Sequence, residues 1–434
     1  MSPPLVDDAL LSPEGPPLTR RRRFMPPPLA FKLAELALSN AAVFSFPLVF
    51  AVVCGRTLGI HDYGIVAFYS SLAAFLGMFV EFGFDWYGIR EVAQNQGDPQ
   101  RCHRVLFNIT AARLLLSAGV FVVIWPALLW ERGAVELPLM VASAAYMVGF
   151  AFDASWYLRA LERTRLLLAI NAGVRLLCIV VLVAVVTQVA TMWSAMWVYA
   201  LVSLLTSGIT WWLLLHQGLA RRAVVELRFI GALMKESWAI VLGNLNGSLL
   251  THGGIALLGL IAEPAVVGSA TLGLRVRAAA QGALLPLSQL GFVRLSGRAK
   301  ESPLAAFALG RRLLIITLVL SVLVALGCMW AAPQISQIVF KSEVPLAVGF
   351  VMMLALTLPV QMVGNLFGLQ SLVALGQERR YAAIQVAASV LFCAMLFGLA
   401  SEFAYGWALL AAEAAVLVLS GLTLWRQRSL LLRA

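Results

Sequence analysis

The sequence predicts an all-α polytopic membrane protein, with about twelve transmembrane helices in two six-helix halves around a central V-shaped cavity. Three observations predict it. The 434 residues are 61% hydrophobic and only 12% charged, with a mean hydropathy of +0.89, and a soluble domain carries roughly twice that charged fraction. Twelve apolar runs reach the ~20 residues needed to cross hydrocarbon. Lys and Arg fall almost entirely into every second gap between those runs, the pattern of a membrane protein with fixed orientation.

The elements follow in order. Residues 1–30 form a Pro-rich basic tail, expected to be disordered and cytoplasmic. Its Arg20–Arg23 cluster resembles an export signal, but Pro26, Pro27 and Pro28 follow and no small-residue cleavage site closes the next run. Crossings are expected at about 35–57, 64–88, 106–130, 135–158, 166–187, 192–215, 238–261, 265–293, 305–330, 345–370, 381–400 and 403–425. These divide into an N-terminal half (31–220), a cytoplasmic linker (221–236) and a C-terminal half (237–426), followed by a short tail (427–434). Turn chemistry at Gly97-Asp98-Pro99, Glu263-Pro264 and Ser302-Pro303 supports the gaps.

Twenty-five of the 32 Lys and Arg lie on one side of this arrangement, only Arg56, Arg132 and Lys341 on the other, and four within the runs. The asymmetry places both termini in the cytoplasm. It also accounts for the net charge of +11 as a topology signal, without nucleic acid as a partner. The five cysteines show neither a disulfide framework nor metal-ligand spacing. No phosphate-binding glycine loop or nucleophile–base set appears, so no cofactor and no catalytic residues are expected. The outward loops are short, with the longest at Ala331–Val344, which disfavours an integral-membrane glycosyltransferase or polymerase.

The halves echo one another. Leu158-Arg-Ala-Leu-Glu162 to Ala169-Ile170 aligns at a shift of 214 residues with Leu372-Val-Ala-Leu-Gly376 to Ala383-Ile384. Less closely, Leu58-Gly59…Gly64 echoes Leu258-Gly259…Gly268. Two parallel repeats facing each other make a cavity that can open to either side.

Thr57-Leu58-Gly59-Ile60-His61-Asp62-Tyr63-Gly64, then Glu81-Phe82-Gly83-Phe84-Asp85 and Arg90-Glu91-Val92-Ala93, resemble the opening of the polysaccharide flippases. These are the O-antigen, or Wzx-type, exporters of the superfamily that also holds multidrug and toxin extruders. Trp156–Glu162 and Gly368–Gly376 are similar as well, although Arg159-Ala160 stands where the family often carries Gln-Gly. The resemblance implies flipping of an undecaprenyl-diphosphate-linked oligosaccharide across the bacterial inner membrane, in surface polysaccharide synthesis. A polysaccharide polymerase and a chain-length regulator are the further partners it implies, beside the lipid bilayer. The alternative within the fold is a multidrug/cation antiporter.

Such a substrate needs a cationic, hydrated cavity. Arg113, Arg175, Arg275 and Arg277 lie inside the apolar runs, where a guanidinium is costly and marks a functional site by default. Its planar fork suits phosphate oxygens. Each Arg has a second reading, a structural ion pair with an intramembrane carboxylate, or snorkelling for Arg113. Arg275 and Arg277 stand about 200° apart around one helix, so they cannot face the same way. Asn244 and Asn246 are candidate sugar contacts or interhelical hydrogen bonds. Glu81 and Asp85, spaced i,i+4, and Asp153 are candidates for ion coupling or for helix pairing. Arg90 would mark the cytoplasmic mouth, and Pro286 a hinge in the eighth crossing. His252 could titrate, although a lone His at a helix contact is more often structural.

Overall fold

The computed structural model describes residues 29–431 apart from 134, 135, 222, 302 and 374, with the backbone alone described at 29–44, 239, 242, 243, 286–290, 292–309 and 427–431. The Pro-rich tail of 1–28 and the last three residues lie outside the described residues. The chain is all helix among the described residues, and its elements supply twelve crossings.

The helix α1 (Leu29–Glu81) holds the first two crossings, joined at Gly59, whose φ of 81° and ψ of 176° break the helix. After it come α2 (Phe84–Gln94), α3 (Pro99–Arg132), α4 (Leu137–Ala151), α5 (Ser155–Ala160), α6 (Thr164–Val189) and α7 (Met192–His216). The second half contains α8 (Leu227–Ser248), α9 (Gly254–Ile261), α10 (Pro264–Glu301), α11 (Pro303–Phe340), α12 (Pro345–Asn365), α13 (Glu378–Gly398) and α14 (Ala404–Leu431). Wide π-helical turns at Leu249–Gly253 and Leu366–Leu372 join α8 to α9 and extend α12.

Several boundaries differ from the sequence expectation. The second crossing stops at Glu81, because Phe82 (φ 48°) and Gly83 (φ 68°) turn the chain through the left-handed region. Glu81 and Asp85 therefore sit on different helices, and the i,i+4 argument for them fails. The fourth crossing breaks at Phe152–Ala154, leaving Asp153 in the break, where its Oδ1 accepts from the Ser155 amide (2.9 Å) and hydroxyl (2.5 Å). Most of the outward loop 331–344 is helical, since α11 passes through Pro333 to Phe340. The linker is shorter than expected, because α8 begins at Leu227, and α14 runs on through most of the expected C-terminal tail. Helix α10 continues through Pro286, whose side-chain surroundings lie outside the described residues.

The proposed repeat reappears bond for bond. Arg163 N–H donates to Leu158 O and Gln377 N–H to Leu372 O, both at 2.9 Å. Glu162 N–H to Arg159 O and Gly376 N–H to Val373 O are both 3.0 Å. Glu162 (φ 57°) and Gly376 (φ 73°) take the same left-handed step, and α6 and α13 start at equivalent positions. Each is a helix C-cap of Schellman type, and α7 ends in the same way, with Gly218 at φ 67° and Leu219 N–H donating to Leu214 O at 2.9 Å.

At the end of the bundle with the short loops, the halves close on each other through α1 and α10, the most extensive helix pairing in the molecule. A Cβ on Gly64 would stand 1.8 Å from the Pro264 carbonyl oxygen, and one on Gly268 would stand 2.6 Å from the Ile60 carbonyl oxygen. The contact is reciprocal, 60 with 268 and 64 with 264, as a pseudo-two-fold requires. Only glycine lets two backbones approach so closely, and that approach is what holds helices together in lipid. Arg132 strengthens the seam by donating to Gly259 O at 2.6 Å, with its guanidinium 4.8 Å from the Phe68 ring centroid.

At the opposite, arginine-rich end polar contacts join apolar ones such as the Tyr87 ring against Phe229 of α8, with centroids 6.3 Å apart. Arg90 pairs with Glu236 of α8, both about half exposed, and Arg104 pairs with Glu226 at 3.7 Å. The fully buried Asn108 clasps the linker, donating to Val224 O (3.1 Å) and accepting from the Glu226 amide (2.8 Å). Exposed pairs of this kind contribute little, roughly 0–1 kcal/mol each. One end is thus a glycine seam and the other a latch of exposed ion pairs beside a ring contact.

Gly64→Val should lower the thermal midpoint of the protein in detergent, at a cost of about 1–3 kcal/mol for overpacking. Gly119→Ala, where a Cβ meets nothing within 4 Å, should leave it unchanged or raise it. A Gly64→Val midpoint equal to that of the parent would mean that the two backbones do not meet there.

Candidate substrate cavity

The site is built around α10. Pro264 starts that helix, and the Gly268 crossing pins its first turns against α1, so Arg275 and Arg277 are carried to fixed places about two turns further on. As the helical period requires, they part. Arg275 turns toward the hydroxyls of Tyr63 on α1 and Tyr199 on α7. Arg277, 3% exposed, turns into the C-terminal half and pairs with Glu413 of α14.

A recess of about 310 Å³ opens between the halves here, lined by Arg175 of α6, Tyr199, His252, Arg275, Arg277 and Gln281 among others. Arg175 is half-buried and has Tyr146 and Tyr199 as its polar neighbours. No carboxylate pairs with Arg175 or Arg275 among the described residues. Neither guanidinium is therefore neutralised by a carboxylate among the described residues, and phenols stand near both, Tyr63 and Tyr199 beside Arg275 and Tyr146 and Tyr199 beside Arg175. His252 sits in the π-helical turn within the field of Arg275.

A second, smaller recess of about 140 Å³ adjoins it inside the C-terminal half, sharing Thr251 and Arg277 with the first. Asn246 lines it; this residue is 8% exposed and accepts from the Ser389 hydroxyl at 2.6 Å. Asn244, one helical step away, is exposed and lines neither recess.

Five other candidates lie elsewhere. Arg113, expected among the phosphate-binding arginines, is 1% exposed and engaged in the N-terminal half through its two terminal nitrogens, while its Nε has no partner among the described residues. It pairs with Asp85 and donates to Asp153 O at 2.7 Å, while Arg159 reaches the second Asp85 oxygen at 2.6 Å. Glu81 stands in the field of the same four groups. The cluster ties α2, α3, the α4–α5 break and α5 together, and Arg113 does not face the cavity. Arg90 also does not line it, because its guanidinium lies in the Glu236 latch, 5.6 Å from the Tyr87 ring centroid.

Sequence reasoning gave no site role to Tyr63, which it placed in a short outward loop and in the family motif, to Tyr199, which lay in an apolar run, or to Arg159, which the charge asymmetry had absorbed as a loop cation. Among the described residues no group of three His, Cys, Asp or Glu is placed to hold a metal ion.

A family model described as polysaccharide biosynthesis protein matches residues 32–292. The chain belongs to that family. It is 20% identical over 374 residues to a "Putative O-antigen transporter" of Shigella dysenteriae, covering 86% of this chain and 92% of that protein. A protein of the same description from Escherichia coli (strain K12) is 21% identical over 377 residues, covering 85% and 89%. Among solved structures, the fold is similar to lipid II flippase MurJ in an inward closed conformation (TM-score 0.68, 11% identity, 90% of this chain and 87% of that chain). It is similar too to an inward-facing multidrug resistance MATE family transporter of the MOP superfamily (TM-score 0.66, 14% identity, 92% and 97%). The family member described here is a multi-pass helical membrane protein.

Replacing Arg113 with Leu leaves Asp85 buried with one partner fewer. The single substitution should cost about 3–5 kcal/mol, read as a large drop in thermal midpoint in detergent. Arg113→Leu combined with Asp85→Leu should recover part of that loss, and a double variant that loses the sum of both singles would remove the ion-pair assignment.

Proposed function

We propose that this protein flips undecaprenyl-diphosphate-linked oligosaccharide repeat units from the cytoplasmic to the periplasmic leaflet of the bacterial inner membrane, for assembly of a surface polysaccharide. The halves alternate about the central recess to expose it first to one side, then to the other. In this reading the arginine-rich end is cytoplasmic, and the glycine seam closes the periplasmic end in the state described.

The observation that carries the reading is the setting of Arg275. Among the three deepest arginines, Arg113 and Arg277 are neutralised by Asp85 and Glu413. Among the described residues Arg275 has tyrosine hydroxyls and no carboxylate beside it, and Arg175 shares its recess. Two uncompensated guanidiniums in a confined, low-dielectric space attract a diphosphate strongly and can bind its oxygens in bidentate fashion. The lipid tail stays in the bilayer, so only the charged and sugar portions need the recess. The names of the two curated relatives and of the lipid II flippase neighbour agree with this substrate class.

The shared fold with drug transporters raises a second reading, cation export. The same pair of guanidiniums opposes it, because an organic cation entering the recess meets like charge.

Arg275→Ala should reduce surface polysaccharide at least roughly tenfold while the protein remains in the membrane, and lipid-linked repeat units should accumulate inside the cell. Arg275→Lys, which keeps charge and loses the fork, should fall between. Resistance to cationic drugs should not change in either variant. Normal export in Arg275→Ala would remove the diphosphate site.

A further inference from the structure

The smaller recess in the C-terminal half has a polar lining that the fold itself leaves unsatisfied. Gln361 Oε1 on α12, Gln385 Oε1 on α13 and Glu413 Oε2 on α14 are buried acceptors with no partner among the described residues, and Arg277 Nε is a buried donor in the same condition. All four residues line the one 140 Å³ space. Buried polar groups are nearly always satisfied, and each left alone costs about 1–3 kcal/mol. Four around a single cavity point to something that fills it.

The charge of the lining selects the occupant. Arg277 and Glu413 neutralise each other, and the remaining polar groups are the amides of Asn246, Gln361, Asn365 and Gln385 with the Thr251 hydroxyl. With that pair neutral, neither an anion nor a cation gains a net field here. A neutral molecule that both donates and accepts fits best, and a hydroxyl-rich ring is such a molecule. At about 30 Å³ per water, the space takes roughly four or five waters or the hydroxyl-bearing part of one sugar.

The position adds a second reason. Arg277 and Thr251 line both recesses, so a ligand held at Arg275 reaches the smaller recess across a single helix. The two π-helical turns flank it, with Thr251 in one and Asn365 at the start of the other, and such turns widen a helix where a ligand is held. We infer that this recess is a sugar subsite, holding one residue of the glycan beside the diphosphate through Gln361, Gln385 and the free faces of Glu413 and Arg277. The inference rests on the reading of the central recess as the diphosphate site and goes beyond it by naming where the glycan is sensed.

The test compares two lipids on the full-length protein in nanodiscs. One is undecaprenyl diphosphate, which carries no sugar. The other is the lipid-linked oligosaccharide that accumulates in host cells deleted for this protein. The parent should bind the glycan-bearing lipid more tightly. Gln361→Leu with Gln385→Leu should weaken that lipid roughly tenfold, two hydrogen bonds of ordinary strength, and leave undecaprenyl diphosphate within about twofold. Should the double variant not reach the membrane, Gln385→Ala alone gives the same comparison with a smaller loss. Equal affinity of the parent for both lipids overturns the subsite, as does an equal loss for both in the variant. Loss of radiolabelled sodium binding in the variant, with its lipid preference intact, overturns it in favour of a cation. Failure of the diphosphate reading shows separately, as undecaprenyl diphosphate binding that Arg275→Ala does not alter.

Discussion

A guanidinium inside a membrane must find oxygen, and the way each buried arginine meets that demand organises this protein. Arg113 finds a carboxylate and a backbone carbonyl within its own half, Asp85 and the carbonyl of Asp153, with Arg159 holding the other carboxylate oxygen. The result is a closed charge cluster that ties four neighbouring segments. Arg277 finds Glu413 across the C-terminal half. Arg275 finds phenols. A phenolic hydroxyl can accept from a guanidinium without cancelling its charge, so the positive field of the interior is kept at the recess between the halves. Removing one partner from a buried pair is strongly destabilising, which fixes the first two arginines to structure and leaves the third available for a ligand.

That field is useful only if the halves can part, and their two contacts differ in kind. The Gly64–Gly268 crossing is backbone against backbone, reciprocal, and intolerant of a single added carbon. The contacts at the other end run through exposed side chains, Arg90 to Glu236 and Arg104 to Glu226, with Asn108 gripping the linker. Long exposed side chains exchange partners at small cost, whereas interlocked backbones separate as a unit. A molecule of this kind has one end held by dispersion and one held in part by solvent-screened charge. The equilibrium between its states is then set by the difference between them, and a charged ligand in the recess acts on both.

Much of this was legible in the sequence. The alternation of cations predicts twelve crossings, and the 214-residue echo returns as matched turn hydrogen bonds at Glu162 and Gly376. Hydropathy could not see the breaks at Phe82-Gly83 and Phe152–Ala154, because both lie in apolar sequence and depend on backbone left-handedness or on a side chain capping its own loop. The i,i+4 pairing of Glu81 with Asp85 failed for that reason. The partition of the arginines was also out of reach, since Glu413 lies 136 residues from Arg277 and only the packed bundle brings them together. The helical period did carry one part of the site, in that two arginines 200° apart had to serve different purposes.

That angular separation gives α10 a particular place in the mechanism. One face of the helix puts a free positive charge toward the N-terminal half, and the other puts a neutralised charge into a polar recess of the C-terminal half. Its first turns are locked to α1 by the glycine seam. Any motion that opens the seam must move α10 relative to α1, and so must move Arg275 relative to Tyr63, which α1 also carries. In the proposed cycle, opening of the short-loop end would carry the Tyr63 phenol away from Arg275 and so alter the site from the side on which a ligand would leave. Coupling between ligand and gate then needs no relay of residues, because the same two helices form both.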